Sequence, residues 1–380
     1  MMRSSSPSRT SRIYLTDMGY DISKKILMIA AFGRGDDGMS FASCVLRDEW
    51  RAQGLDLHIV DFFENGGSGV GVSAINKIRA TFKNRKLARR YIKDCDAVYF
   101  TPKLSTLGFI SLISYYKMCL KHKKPYTLHI HGRALIDTYN NHKWIRRYIR
   151  KYIGLAHSNI ALTEKLKDEM YTLFGCGTFD VAGNFAQDDI MLRSDEVETK
   201  REIACRQPLG ICYMSNVIES KGIFDLIDAV GGDERYTLKI AGRVFPDEKE
   251  RFESYLEKYE NIEFLGFVTK DEKRKLLMDS AVFCLPTRYP TEAQPISIIE
   301  SLCMGGIVLS TDLPGIVDTL GENYPPELYV QKDAKDIRRA LDLIYENPAE
   351  MFERVNANLS EYQKEFSVVK FAQNIYGCVV

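Results

Sequence analysis

At 380 residues the chain exceeds the size at which a single hydrophobic core keeps growing, which predicts two domains. Hydrophobic content of 45% and charged content of 27% are those of an ordinary soluble globular protein. A net charge of +1 conceals an asymmetry: residues 1–205 hold 32 Lys and Arg against 22 Asp and Glu and the remainder 20 against 29, as expected of two domains facing different partners. Residues 1–22 are rich in Ser and Arg without an apolar core, which excludes a secretory signal and predicts a flexible leader. Nine cysteines are scattered, odd in number and without a Cys-x-x-Cys pair. A reducing cytosol is therefore expected, and neither a disulfide framework nor structural zinc is.

The first predicted strand covers 26–32 and runs into Gly33-Arg-Gly-Asp-Asp-Gly38, with a helix at 39–53 beyond it. A Gly-rich turn there lets backbone N–H groups approach a ligand, although the spacing is no dinucleotide fingerprint and a tight turn explains it equally. A strand at 57–61 precedes the loop from Gly66 to Gly71 and a helix at 74–93. That helix carries Lys77, Arg79, Lys83, Arg85, Lys86, Arg89, Arg90 and Lys93 with no acid among them. Such a face suits anionic lipid head groups or another polyanion, and equally a merely solvated surface; no nucleic-acid-binding module accompanies it. A strand at 96–101 leads through Pro102-Lys103 into the apolar stretch 104–116, too short to span a bilayer and read as a buried helix. The strand at 126–130 ends on His131-Gly132-Arg133, and His129 has no third ligand to make a metal site with His131. A strand at 156–162 and a helix at 163–174 follow, and the polar stretch 187–207 reads as a linker.

The second half restarts with a strand at 209–214, then Ser215-Asn-Val-Ile-Glu-Ser-Lys221-Gly222 and a helix at 223–230. A Lys at a helix N-terminus neutralises a phosphate placed there. Strands at 236–241 and 262–268, the first followed by Gly242-Arg243, and a helix at 271–279 lead to the stretch that organises this half. An unbroken apolar strand at 281–285 ends at Pro286, and a loop holds Arg288, Tyr289, Pro290 and Glu292. Pro295 opens a helix that Gly305-Gly306 stops before a strand at 307–310. Glu300 lies five residues into that helix, roughly 7–8 Å along its axis, about the distance from a diphosphate at the helix tip to a ribose or sugar hydroxyl. A short strand at 328–330, a helix at 333–345 and a terminal helix across 366–376 complete the chain.

Glu292 and Glu300 have seven residues between them, after Pro286-Thr287 and before Gly305-Gly306 and Leu313-Pro314-Gly315. This frame resembles the donor site of retaining glycosyltransferase family 4 (glycosyl transferases group 1). The resemblance runs over roughly 26–376, specific in the second half and looser in the first. It implies an α/β chain of the GT-B fold: two doubly wound Rossmann-like domains with a cleft between them. The leader would be 1–22, the acceptor-side domain 23–186, the linker 187–207, the nucleotide-sugar domain 208–362, and 363–380 a helix crossing back to the first domain. Catalytic roles would fall to Glu292 on a donor sugar hydroxyl, His131 on the sugar and Lys221 on the diphosphate. Glu300 would hold the ribose, with Asn216, Gly222, Arg243, Phe267, Val268, Gln294, Pro295 and Ile296 around the donor. Gly33, Gly35, Gly38 and Lys103 fall on the acceptor side. This chain departs from the pattern at Gly183, where Pro is usual, and at Asn216, where Arg is usual, leaving Arg243 and Arg288 to supply a phosphate contact.

The implied reaction moves a hexosyl group, with retention, from a nucleotide diphosphate sugar of unspecified base, without a metal or other cofactor. The acceptor would be a carbohydrate or lipid-linked molecule in cell-surface polysaccharide or glycolipid synthesis. The segment from Lys77 to Lys93 would meet an anionic membrane surface, making the enzyme cytoplasmic or peripheral at the inner face; nucleic acid is not an expected partner. Two rivals keep the same fold: a nucleotide-sugar epimerase, and a non-catalytic partner subunit that binds the nucleotide sugar.

Overall fold

The computed structural model describes residues 19–33, 38–62, 74–331 and 333–380. Its first half alternates strand and helix: β1 (Lys25–Ala30), α1 (Gly38–Ala52), β2 (Asp56–Asp61), α2 (Ala74–Tyr91), β3 (Ala97–Phe100), α3 (Thr106–Lys121), β4 (Tyr126–Ile130), α4 (Ala134–Asn141), α5 (Arg146–Gly154), β5 (Ser158–Ala161), α6 (Glu164–Phe174) and β6 (Phe179–Val181). The strands form one parallel sheet in the order β2-β1-β3-β4-β5-β6. β3, β4 and β5 are buried along their whole length because helices cover both faces; β3 accordingly reads as an unbroken apolar run, whereas β4 and β5 bury the polar Thr127, His129, Ser158 and Asn159. The helices α2, α3, α5 and α6 close one face over Phe100, Phe109, Tyr116, Tyr126 and Tyr152. The other face is closed by α1 and by the last helix of the chain, over Trp50, Tyr99 and Phe185.

A connecting segment carries α7 (Val197–Ala204) into the second half. There follow β7 (Leu209–Met214), α8 (Ile223–Val230), β8 (Tyr236–Ala241), α9 (Lys249–Lys258), β9 (Ile262–Gly266), α10 (Lys270–Asp279), β10 (Val282–Leu285), α11 (Ile296–Cys303), β11 (Ile307–Ser310), α12 (Pro314–Leu320), α13 (Ala334–Glu346), α14 (Pro348–Asn356), α15 (Leu359–Glu365) and α16 (Val368–Val379). The second sheet is also parallel, in the order β11-β10-β7-β8-β9. α16 leaves this domain and packs back on the first. Trp50 Nε1 donates to the Ala372 carbonyl at 3.1 Å, Thr127 Oγ1 to that of Cys378 at 2.8 Å, and the Phe371 ring lies 4.5 Å from that of Phe185.

Four local readings change. Tyr20 is fully buried, edge-on to Tyr376, and the Asp21 N–H donates to the Tyr376 hydroxyl at 2.9 Å, so 20 and 21 are tied down rather than part of a flexible leader; residues 1–18 lie outside the described residues. α3 is not buried throughout: it turns Phe109, Leu112, Tyr115 and Tyr116 to the sheet and leaves Leu107 81% exposed. Residues 328–330 form no strand, because Pro325-Pro326 starts a single 3-10 turn, Pro326–Leu328, and only Tyr329 bridges to Ser310. Within 187–207, α7 escapes a search for strand periodicity because it is helical; Ile190, Leu192 and Ala204 join the second core.

Lys200 on α7 is fully buried, and its Nζ donates to the carbonyls of Leu277, Met278 and Ser280 at 2.5, 3.2 and 2.6 Å. These are orphan carbonyls at the end of α10, satisfied by a side chain 77 to 80 positions away. Burial pushes the amine down to about 8. Lys200→Met keeps the packing but strands those carbonyls, so it is expected to lower stability by about 2 kcal/mol in urea unfolding at pH 7. An unchanged midpoint would mean that water replaces the amine.

Candidate active site in the interdomain cleft

In parallel sheets every loop that follows a strand emerges at the same edge, and ligands bind there. β7 and β10 are neighbours, so the loops after them, 215–222 and 286–295, lie side by side although some 70 residues apart. They touch through Gly222, whose φ of +76° is left-handed and where a β-carbon would come within 2.2 Å of the Pro286 carbonyl oxygen. The Arg288 N–H also donates to the Ser220 carbonyl at 2.7 Å. Gly315, at the start of α12, has the same use: a β-carbon there would sit 1.7 Å from the Ala293 carbonyl oxygen. The loop bearing Glu292 is thus gripped from both sides by backbone.

This contact brings Lys221 and Glu292 together. Lys221 Nζ bonds Glu292 Oε2, Thr287 Oγ1 donates to the same oxygen at 3.2 Å, and the ammonium sits 4.8 Å from the centre of the Tyr289 ring. The two side chains are only 13% and 11% exposed. Glu300 lies further along α11, 2% exposed, with Oε1 accepting from Lys273 Nζ of α10 at 2.6 Å. Burial holds its carboxyl above the ordinary value, against the pull of Lys273.

The first domain closes over this edge. His131, following β4, lies with its ring centre 4.0 Å from that of His129. His129 is fully buried, bonded through Nδ1 to the Tyr99 hydroxyl at 2.8 Å, and burial with the neighbouring His131 holds it far below the usual imidazole range. A β-carbon on Gly132 would stand 3.2 Å from the Thr291 carbonyl oxygen, so the His131 turn abuts the Glu292 loop. Gln294 is engaged in this closure: its Oε1 accepts from the Asn184 N–H at 2.5 Å and its carbonyl from Asn184 Nδ2 at 2.8 Å. Its amide also packs on Gly183, where a β-carbon would stand 3.0 Å from Oε1. Pro295 caps α11, and Ile296 reaches toward Gly38 at the start of α1. On the far side of the hinge, Asp318 of α12 accepts from the Lys165 N–H at 2.8 Å and pairs with its ammonium at 3.2 Å.

The remaining sequence candidates divide. Arg288 pairs with Asp225 of α8 at 2.7 Å, whereas the Arg243 carbonyl accepts from the Val217 N–H at 2.9 Å, which sets the exposed Arg243 beside Asn216. Phe267, 77% exposed, follows β9, with Val268 partly buried on the core. Gly33 follows β1, and Lys103 follows β3 with its ammonium 4.8 Å from the centre of the Phe62 ring; Gly35 lies outside the described residues. Among the described residues no three His, Cys, Asp or Glu side chains are grouped to hold a metal ion. Sequence reasoning missed Lys273, Thr287 and Asn184 as members of this site. Lys273 sits in the run Lys270-Asp-Glu-Lys-Arg-Lys275, which reads as a solvated helix face.

Residues 198–366 match the model of the family described as Glycosyl transferases group 1. The second domain is similar to that family. Over 52% of its length the chain is 25% identical to a protein of Bacillus subtilis (strain 168) named for teichuronic acid biosynthesis, the glycosyltransferase TuaC, of which it spans 50%. Over 46% of its length it is 23% identical to the amylovoran biosynthesis glycosyltransferase AmsK of Erwinia amylovora, of which it spans 46%. The chain thus spans about half the length of the curated relatives it matches. Across nearly all of it the likeness is structural: Anabaena HepE, solved with UDP and glucose, superposes with a TM-score of 0.66 over 93% of this chain and 98% of that one, at 12% identity. The architecture is therefore GT-B, two Rossmann-like domains facing each other across a cleft.

The Lys221–Glu292 pair is shielded enough that each charge depends on the other. Lys221→Met alone is expected to cost about 3 kcal/mol of stability by stranding a nearly buried carboxylate, and the double variant Lys221→Met/Glu292→Gln to recover most of that loss. Additive losses in thermal or urea unfolding would show that the two charges act independently.

Proposed function

We propose that the chain is a retaining glycosyltransferase that moves a sugar from a nucleoside diphosphate sugar to a carbohydrate or lipid-linked acceptor. The observation that carries this reading is the contact of Lys221, just before α8, with Glu292, in the loop before α11, at the carboxyl edge of β7 and β10, with Glu300 buried further along α11. The family match over the second domain and the UDP and glucose in HepE support it. A diphosphate at these two helix ends meets unpaired N–H donors, positive dipole ends and the Lys221 ammonium, which together stabilise the charge that develops as the sugar departs. Arg243, beside Asn216, is the nearer of the two candidate arginines for a further phosphate contact, since Arg288 is already paired. Glu292, released from Lys221 by the diphosphate, turns to a sugar hydroxyl, and His131 faces the sugar from the first domain. The leaving phosphate takes the acceptor proton on the same face of the sugar, which gives retention without a protein base and without a metal. An epimerase would convert the nucleotide sugar without any acceptor, so release of free nucleoside diphosphate only when acceptor is present would exclude it, and a non-catalytic subunit would bind without turnover.

UDP, GDP and ADP should be compared by thermal shift; a ligand at 100 times its Kd stabilises by about 2.7 kcal/mol, and UDP is expected to give the largest rise. Lys221→Ala should then weaken the diphosphate far more than the bare nucleoside, with turnover of the wild type unaffected by EDTA. Equal losses for both ligands would remove Lys221 from the phosphates, and loss of turnover restored by magnesium or manganese would remove the metal-free mechanism.

We further propose that the first domain works against an anionic membrane. Residues 65–163 hold nineteen Lys and Arg against three Asp and Glu, and α2, α3 and α5 from this segment lie on one face of the sheet. In the same segment Phe82 of α2, Leu107 of α3 and Trp144, just before α5, are 66%, 81% and 58% exposed, and exposed apolar side chains among basic residues are what an interfacial surface uses. Among the described residues no helix is long and apolar enough to cross a membrane. Each basic residue near an anionic bilayer contributes about 1 kcal/mol, screened by salt. Wild type is expected to sediment with anionic but not neutral vesicles at low salt, and Lys86→Glu/Arg89→Glu/Arg90→Glu to remain in the supernatant while binding nucleotide normally. Equal sedimentation of the two would favour a dissolved acceptor.

A further inference from the structure

We propose that Lys273 is a positioning residue of the donor site, orienting the Glu300 carboxylate from α10 so that it receives the hydroxyls of a nucleotide ribose. The inference rests on the donor reading of Glu300 given above and assigns a role to a residue outside the Glu-x7-Glu frame. Three observations support it. Lys273 Nζ bonds Glu300 Oε1 at 2.6 Å, and among the described residues it is the cation that reaches this carboxylate. The ammonium also lies 5.8 Å from the centre of the Phe41 ring on α1, and Phe41 stacks on Phe185 at 5.7 Å, so the lysine is held between the two domains. Its own helix is anchored at the other end by the buried Lys200, which fixes where the side chain starts.

The chemistry requires such a partner. A carboxylate that is 2% exposed loses most of its hydration, and an acceptor for two ribose hydroxyls must be charged to bind them strongly. Glu300 feels Lys273 from α10 as a favourable charge and Asp189, from the turn Asp188–Ile190, as an unfavourable one. Asp189 is itself paired with Lys270. Arg274, the neighbour of Lys273, is bonded to Glu196. Cys303 on α11 is pushed up to about 12 and stays neutral. Burial holds the Glu300 carboxyl above its ordinary value even with the lysine present, so removing Lys273 raises it further and the carboxyl takes up its proton at higher pH.

The test is calorimetric titration of wild type, K273M, K273Q and K273R with UDP, GDP and ADP between pH 5.5 and 8.5, and with the 2′-deoxy form of whichever binds best. Wild type is expected to discriminate the ribose from the deoxyribose ligand. K273M and K273Q should bind the ribonucleotide about tenfold more weakly at pH 7.5, lose most of that discrimination, and show affinity failing with acid at a higher pH than wild type does. K273R should recover much of the affinity, which a simple folding defect in the other two would not explain. If wild type binds a nucleotide and K273M binds it equally well with the same pH profile, Lys273 has no part in the site and the donor reading stands. Tighter binding by K273M would also overturn the proposal, making the lysine a plug that ribose displaces. If wild type binds none of the three nucleotides, the donor reading falls and this inference with it.

Discussion

Two backbone loops can approach each other closely only where no side chain intervenes, and the cleft of this protein is built on such an approach. At Gly222 the chain turns with a positive φ directly against the Pro286 carbonyl, closer than any β-carbon permits. The parallel pairing of β7 with β10 brings these loops to one edge, and the missing side chain lets them meet. A lysine from one loop is then pressed against a glutamate from the other, with both largely withdrawn from water. Any residue other than glycine at 222 would push the loops apart and separate the charges with them.

Withdrawal from water strengthens the hold of these charges on one another. In a shielded cleft an anion displacing Glu292 from Lys221 would gain far more than on an exposed surface, because the field of the ammonium is little screened. The same shielding is costly for Glu300, deeper in the second domain, and a cation from a separate helix offsets it. Both carboxylates of the pair therefore have a lysine partner in the ligand-free chain, one drawn from the loop after β7 and the other from α10. Sequence spacing places Glu292 in the loop before α11 and Glu300 within that helix; their lysine partners come from elements elsewhere in the chain.

Closure of the two domains is equally a matter of specific bonds. Asn184 and Gln294 exchange two hydrogen bonds across the cleft, Lys165 and Asp318 meet beyond it, and α16 ties the end of the chain to α1 and to the fully buried Trp50. The opposed electrostatic characters of the halves suit this arrangement. The basic helices α2 and α5 lie on one face of the first sheet, while the candidate site gathers at the carboxyl edges of both sheets, so the two are separate regions of the molecule.

From the sequence by itself most of the strands, their parallel character, the two-domain plan and the helix that carries Glu300 were legible, because each is written in local pattern; β6 was not read, and the strand expected at 328–330 does not form. Apolar runs without alternation mark strands covered on both faces, and Pro and Gly mark where α11 starts and stops. Short helices such as α9, which buries only Phe252, carry too few apolar residues to set a period and passed unseen. Charge partners were not legible at all. Lys273 and Lys200 look like members of solvated runs, and nothing local distinguishes a lysine bonded to a buried carboxylate or to the end of another helix from one in water. The same holds for Arg243 and Arg288: the folded chain sets the first over the Phe245 ring and pairs the second with Asp225. Hydrophobic periodicity is a property of neighbours in the chain, whereas the pairing of charges and the approach of loops are decided by contacts between segments 27 to 110 residues apart, which only the folded chain brings together.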